Sequence, residues 1–183
     1  MFARTQRLML RPGWIEDAPE LARAIGHHEV VRNLSRAPWP YTRGDAEAFL
    51  SNEPGPLDMR FLISAVEDTS SRIVGGIGIG PLGNEPHELG YWLTPDAWGR
   101  GYATEAGEAV LRIARTIGVR RVAARHAIDN PASGRVLRKL GFRPTGRVAS
   151  YHSLGRGGDV QCAEFEQRLA GSDCTDPCDR MAA

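Results

Sequence analysis

Apolar and polar residues alternate from Thr5 to Leu10, and apolar Ala18, Leu21, Ala22 and Ile25 then recur at helical spacing, so the chain opens as a strand followed by a helix over Glu16 to Ile25. His27 to Asn33 extends this as a short helix. Ala37-Pro38-Trp39-Pro40 is non-helical, since a residue before proline is pushed out of the α region, and Thr42 caps a further helix through Asn52. Met59 to Glu67 and Arg72 to Ile79 read as a hairpin joined by Asp68 to Ser71, and His87 to Thr94 as another strand after the turn-rich Pro81 to Pro86. Beyond Pro95 the period changes. Tyr102 to Ile117 is a long helix ended by Gly118, Arg121 to His126 a strand, and Pro131 to Leu140 a helix stopped by Gly141. Arg143 to Ser153 and Asp159 to Leu169 close the chain as two strands around Gly155 to Gly158. The order is that of an α+β domain with a mixed sheet, whose one strand–helix–strand crossover, between His87 and His126, is expected to be right-handed.

Composition narrows the class without naming it. The chain has 183 residues, 42% of them hydrophobic and 25% charged, which suffices for one domain with a core and no disulfide or metal staple. No linker or repeat interrupts it, so residues 1–170 are expected to form one domain and residues 171–183 a disordered polar tail. Twenty-three basic side chains against 22 acidic leave a net charge of +1, without the basic field of a nucleic-acid binder. Neither a membrane-length apolar run nor a signal-peptide core is present, and a cytoplasmic protein is expected. The three cysteines are Cys162 in a strand-like segment and Cys174 and Cys178 in the tail, with no His or Cys companions nearby to complete a zinc site, so no metal is expected.

The most informative local feature is the turn with Gly99 and Gly101 between a strand and the long helix. Such a turn places unpaired backbone N–H groups at a positive helix end, a seat for phosphate or pyrophosphate, or it is simply a turn. Other phosphate motifs fail. There is no G-x-x-x-x-G-K-[ST], and Gly75 to Gly80 is followed by Pro81 and Leu82 instead of opening a helix, so a P-loop or dinucleotide-binding fold is disfavoured. Those glycines mark a strand closely approached by another backbone or a ligand.

The run Tyr91-Trp92-Leu93-Thr94-Pro95-Asp96-Ala97-Trp98-Gly99-Arg100-Gly101-Tyr102-Ala103-Thr104-Glu105-Ala106 resembles the acyl-CoA-binding motif of the GNAT acetyltransferases, in the branch of the Rim-type ribosomal-protein alanine acetyltransferases. Asp129-Asn130-Pro131-Ala132-Ser133 through Gly141-Phe142 is similar to that branch's second signature, and Arg4 to Arg11 to its opening strand, so the likeness covers about residues 4 to 170. The resemblance implies a GNAT fold: a twisted mixed sheet of about seven strands with about four helices, splayed between the fourth and fifth strands. It implies that the backbone of Gly99, Arg100, Gly101, Tyr102, Ala103 and Thr104 holds the CoA pyrophosphate, although Trp98 stands where many members have Gln or Arg. Pantetheine then inserts between the splayed strands, with a backbone N–H at Trp92 or Leu93 polarising the thioester carbonyl. Asn130 would bind the pantetheine arm and Ser133 would protonate the departing thiolate; each is equally what a helix start before Pro131 requires. Arg100, Arg135, Arg138 and Lys139 are within the same motifs and could reach CoA phosphates, or form a solvated face.

The acceptor and the base are less constrained. At pH 7.5 an α-amino group is roughly one-third neutral, whereas a lysine is neutral roughly once in 800, a difference of about 3 kcal/mol, so an N-terminal acceptor needs little activation. Glu88 falls on the same strand face as Gly90 and Trp92 and resembles the branch's acidic position; it could take the amine proton or face solvent beside an arginine. His126 is a rival base. The segment Arg36 to Thr42, with Trp39 and Tyr41, lies where family members build the acceptor pocket. The reading is direct acetyl transfer from acetyl-CoA, in a ternary complex, to an amine, preferably a protein or peptide N-terminus; no cysteine occupies either motif to form an acyl-enzyme. A small-molecule amine, or a non-catalytic acyl-CoA-binding regulatory module, is the alternative. The closing strands offer edges through which a homodimer could form.

Overall fold

The computed structural model describes residues 1–55, 57–66, 72–82 and 85–169. Eight strands form one sheet in the order β1-β2-β3-β4-β5-β6-β8-β7. They are β1 (Ala3–Arg4), β2 (Leu8–Arg11), β3 (Met59–Ala65), β4 (Ile73–Leu82), β5 (Glu85–Leu93), β6 (Arg121–Ala127), β7 (Arg143–Ser153) and β8 (Gly158–Arg168). Five helices accompany them: α1 (Ala18–Ile25), α2 (His28–Val31), α3 (Arg43–Ser51), α4 (Tyr102–Thr116) and α5 (Pro131–Lys139). Every neighbouring pair is antiparallel except β5 and β6, which α4 joins as the crossover. This is the expected mixed-sheet fold, with α2 standing where the short helix over His27 to Asn33 is read and with one strand more than expected.

The extra strand comes from the opening segment, which is not continuous. Thr5 to Arg7 is a turn between β1 and β2, drawn out of strand geometry because the Glu105 carboxylate accepts from the Thr5 hydroxyl (2.6 Å) and the Arg7 N–H (2.9 Å). The helix expected over Glu16 to Ile25 starts as a 3-10 turn, Ile15–Asp17, before α1. Thr42 does cap α3, accepting from the Asp45 N–H at 3.2 Å while Asp45 accepts from the Thr42 N–H at 2.8 Å. The closing strands correct a further expectation: β8 lies between β6 and β7, so of those two only β7 has a free edge. The joining turn expected at Asp68 to Ser71 and the tail with Cys174 and Cys178 lie outside the described residues; Cys162 is buried on β8.

The sheet separates two packed layers. On one side α4 and α5 bury Ala106, Val110, Leu137 and Leu140 against Val122, Ala124 and Phe165. On the other, α1 and α3 bury Leu21, Ile25 and Ala46 against Leu62 and Ile73, with Trp92 of β5 packed beside them. The β7–β8 tip is fastened over this second layer. Ser153 Oγ donates to the Leu34 carbonyl (3.1 Å), the Leu154 N–H to that of Ser35 (3.0 Å) and Arg156 Nε to that of Arg32 (2.6 Å). Gly155 makes this possible, since a Cβ there would stand 2.5 Å from the Val31 carbonyl oxygen. Gly155→Ala is therefore expected to cost about 1–3 kcal/mol, as overpacking against rigid backbone does. Thermal melting checks this: a lowering of several degrees is expected, at roughly 2–4 °C per kcal/mol for a domain of this size.

Candidate active site

The α4 N-terminus is built to hold an anion. Gly99 and Gly101 adopt φ of +75° and +81°, in the left-handed region where a side chain is strained, and no side chain caps the helix at Gly101. The first helical bond is the Glu105 N–H to the Gly101 carbonyl at 3.1 Å. The N–H groups of Tyr102, Ala103 and Thr104 precede it and are not consumed within the helix. Arg7 braces the loop from below: Nη1 donates to the Arg100 carbonyl (2.9 Å), Nη2 pairs with Glu105 (2.7 Å), and the guanidinium lies over the Tyr102 ring. Burial opposes ionisation of Glu105, but the hydrogen bonds from Thr5 and Arg7 prevail and hold its carboxyl below the ordinary range. Arg7 and Glu105 both lie in the sequence motifs, yet their partnership spans 98 residues and no local pattern marks it. Trp98 also acquires a role: its indole N–H donates to the Leu93 carbonyl at 2.9 Å, tying the loop to the end of β5.

Between β5 and β6 the sheet opens. Their parallel pairing covers His87↔Val122 and Glu88↔Ala123 and goes no further, although β5 continues to Leu93 and β6 to Ala127. The Thr94 N–H donates to Val74 in β4. Alternation along the strand then turns the Trp92 and Gly90 amides toward β4, and those of Leu93 and Tyr91 toward the gap. Of the two N–H groups singled out in the sequence, Leu93's therefore faces the opening and Trp92's belongs to the β4 ladder. The six glycine-loop residues, Gly99 to Thr104, adjoin the same end of β5.

The two sheet faces present different chemistry at this gap. On the α1–α3 face a cavity of about 650 Å³ is walled by Ile25, Leu34, Ala37, Tyr41 and Trp92, and Glu88 reaches into it. Glu88 pairs with Arg125 (2.9 Å), whose guanidinium stacks on the Tyr151 ring at 3.9 Å from its centroid. Burial raises the Glu88 pKa, while the charges of Arg125 and Arg36 pull it back down. Burial likewise pushes the Tyr41 hydroxyl up to about 12, so it is a neutral wall group.

On the opposite face Ser133 sits in the first turn of α5. Its N–H donates to Asn130 Oδ1 at 3.3 Å, so Asn130 caps the helix as its sequence context allowed. The Ser133 hydroxyl lies 2.7 Å from that of Tyr91, a partner that sequence spacing did not reveal. Burial outweighs that hydrogen bond and pushes the Tyr91 pKa up to about 12. Asp129, beside Asn130, accepts from both nitrogens of the Arg156 fork (2.8 and 2.9 Å) and from Arg32 (2.9 Å), which ties the Asn130 loop to α2 and the β7–β8 tip. His126 is spoken for: Nδ1 lies 2.8 Å from the Ala127 carbonyl, and the ring fills the space over Gly134. Among the other basic residues of the motifs, Arg138 stacks on Phe165, while Arg100, Arg135 and Lys139 are exposed. Among the described residues no group of three His, Cys, Asp or Glu side chains could hold a metal, and no helix is long and apolar enough to cross a membrane.

Comparison with known proteins places this geometry. Residues 7–143 match the acetyltransferase (GNAT) domain model, and the chain belongs to that family. A curated relative, the uncharacterized N-acetyltransferase YnaD of Bacillus subtilis strain 168, is 25% identical over 147 residues, 80% of this chain and 85% of YnaD. Among solved structures, RimL, the ribosomal L7/L12 α-N-protein acetyltransferase in complex with CoA, matches with a TM-score of 0.74 at 18% identity, covering 92% of this chain and 98% of RimL. The microcin C7 self-immunity acetyltransferase MccE, solved with acetyl-CoA and AMP, gives the same TM-score of 0.74 at 18% identity, covering 90% of this chain and 94% of that one. The fold is thus that of the GNAT N-acetyltransferases, Rim-type members among them.

Proposed function

We propose that this chain transfers the acetyl group of acetyl-CoA directly to a primary amine, with the α-amino group of a protein or peptide N-terminus as the preferred acceptor. The observation that carries the reading is the break in pairing after Glu88 and Ala123, which leaves β5 unpaired with β6 between the cavity that Glu88 lines and the glycine loop beyond Leu93. The fit to acetyl-CoA rests on residues present. The uncapped amides of Tyr102 to Thr104, with positive-φ Gly99 and Gly101 admitting close approach, suit a pyrophosphate. The Leu93 N–H would polarise the thioester carbonyl. Arg100, Arg135 and Lys139, exposed around the loop and α5, are available to the remaining phosphates.

The two faces then divide the proton traffic. On the cavity side Glu88, directly or through water, accepts the proton that the amine nitrogen loses as its bond to the acetyl carbon forms. On the α5 side Ser133 gives a proton to the sulfur as the carbon–sulfur bond breaks and takes one back from water through the Tyr91 hydroxyl 2.7 Å away, while Glu88 releases to water the proton it accepted. The products are the acetylated amine and free CoA, with no group left on the protein. RimL, an α-N-protein acetyltransferase, supports the N-terminal acceptor through its shared fold; MccE, an immunity acetyltransferase on the same fold, keeps a small amine as the second reading. Thiol release from acetyl-CoA with N-terminal peptides, set beside small amines and internal-lysine peptides, decides between them.

Ser133→Ala is expected to lower kcat about 10- to 100-fold, at the low end of a lost general acid, with acetyl-CoA affinity held within about threefold. Stopped-time assays with calorimetry on the same variant check both. An unchanged kcat would leave Ser133 only its place in the α5 cap.

A further inference from the structure

The cavity on the α1–α3 face is lined, among the described residues, by one cation that holds no fixed partner. Of its charged walls, Asp45 accepts from the Thr42 N–H and hydroxyl (2.8 and 2.6 Å). Asp58 pairs with Arg60 at 3.3 Å, and Arg60 also donates to the Asn52 carbonyl at 2.7 Å. Glu88 pairs with Arg125 at 2.9 Å. Arg36 alone, among the described residues lining the cavity, has a charged group with no hydrogen bond or ion pair, and its one recorded interaction is electrostatic attraction to Glu88 through space. Its chain neighbours in the lining are Leu34, Ala37 and Pro38, which are apolar, and Ser35. A guanidinium in such surroundings gains most from an anion with two acceptor oxygens, because a fork of fixed donors matches a carboxylate bidentately.

We propose that Arg36 is a specificity-determining residue that selects amines carrying a carboxylate, bound in this cavity with the amine toward Glu88 and the carboxylate on Arg36. The inference rests on the reading of the cavity as the acceptor site. The spacing suits one compact acceptor, since Arg36 and Glu88 line one space of about 650 Å³, well within the size range of small-ligand sites. Arg36 is itself exposed, so it stands where the acceptor enters. It lies in the segment that the β7–β8 tip fastens through the Leu34 and Ser35 carbonyls, which fixes the backbone that carries it. The carboxylate can be the acceptor's own, in a free amino acid, or the side chain of an acidic second residue in a peptide.

Matched acceptors test this. Leucine is compared with leucinamide, and a peptide beginning Ala-Asp with one beginning Ala-Asn, by kcat/KM for CoA release on the whole chain, each expressed per neutral amine from the acceptor's own titration, because a free amino acid's amine is more basic than its amide's. At least one acidic member is expected to exceed its neutral partner about tenfold or more through KM, and the pair that does so names the source of the carboxylate. Arg36→Gln is expected to collapse that ratio toward one, Arg36→Lys to keep part of it, and Arg36→Glu to favour an Ala-Lys peptide instead. Ratios at or below one in the parent for both pairs, or a parental ratio surviving in Arg36→Gln, would overturn the proposal while leaving acetyl transfer itself standing. Acetyl-CoA binding without transfer to either member of either pair, or to any other amine, would overturn the acceptor-site reading and this proposal together.

Discussion

Gly101→Glu is expected to weaken acetyl-CoA binding about 100-fold or more, equivalent to about 2.8 kcal/mol. Gly101 holds φ of +81° at the head of α4, where any L side chain pays a strain of about 1–2 kcal/mol. A glutamate there also puts a carboxylate among the N–H groups of Tyr102 to Thr104, the groups proposed to receive pyrophosphate, so like charges compete for one positive helix end. A Cβ at this position would lie 3.4 Å from Arg7 Nη2, close enough for the new carboxylate to draw Arg7 from Glu105. Gly101→Ala separates the causes, since it carries the backbone strain without the charge and is expected to lose about tenfold at most. Calorimetric titration of both variants with acetyl-CoA, against CoA, ATP and NAD as controls, measures the difference. Equal losses in the two would assign the whole effect to backbone shape.

The second large effect is expected at Glu88. Glu88→Gln is expected to lower kcat about 100-fold or more at pH 7.5, the size of a lost general base, while acetyl-CoA binding is retained. The substitution keeps the volume and leaves Arg125 an amide oxygen to meet. Burial raises the Glu88 pKa, so the limb that Glu88 contributes to the parent's kcat profile at saturating acceptor is expected above the ordinary carboxylate range, and Glu88→Gln removes that contribution. Stability has the opposite sign. A carboxyl whose folded pKa is raised contributes to stability below its unfolded value and loses that contribution as pH rises through the folded one. The amide variant is therefore expected to melt no lower than the parent near neutral pH through this group, which separates lost chemistry from lost fold. A kcat within twofold of the parent would take Glu88 out of the proton path.

Much of this architecture was readable in the chain because it is written locally. The periods of Tyr102 to Ile117 and Pro131 to Leu140 located α4 and α5 within a residue or two, and the bounds expected for Arg143 to Ser153 match β7. The break between β1 and β2 was not readable, because the cause is a carboxylate 98 residues away in α4. Strand order was equally hidden: nothing in β8 itself says that it inserts between β6 and β7. At the site, the motifs located Gly99 to Thr104, Asn130, Ser133 and Glu88, and these occupy the glycine loop, the gap and its two faces. The motifs could not show that Arg125 holds Glu88 or that Tyr91 holds Ser133, since each contact joins elements distant in the chain, nor that Trp98 ties down Leu93, since that depends on how the loop folds back on the end of β5. In the sequence Arg36 is only the first residue of an aromatic-rich segment, because the absence of a partner is visible only once the neighbours are in place.

The central claim, transfer of acetyl from acetyl-CoA to an amine in the cavity beside Glu88, is tested most directly by mass spectrometry of an amine panel incubated with acetyl-CoA and either the parent or Glu88→Gln. The account predicts that the parent adds one acetyl group to the α-amine of at least one N-terminal peptide or small amine, and that Glu88→Gln forms at most about a hundredth as much in the same time. Tight acetyl-CoA binding with no acetylated amine from the parent would contradict it and make the chain an acyl-CoA-binding module.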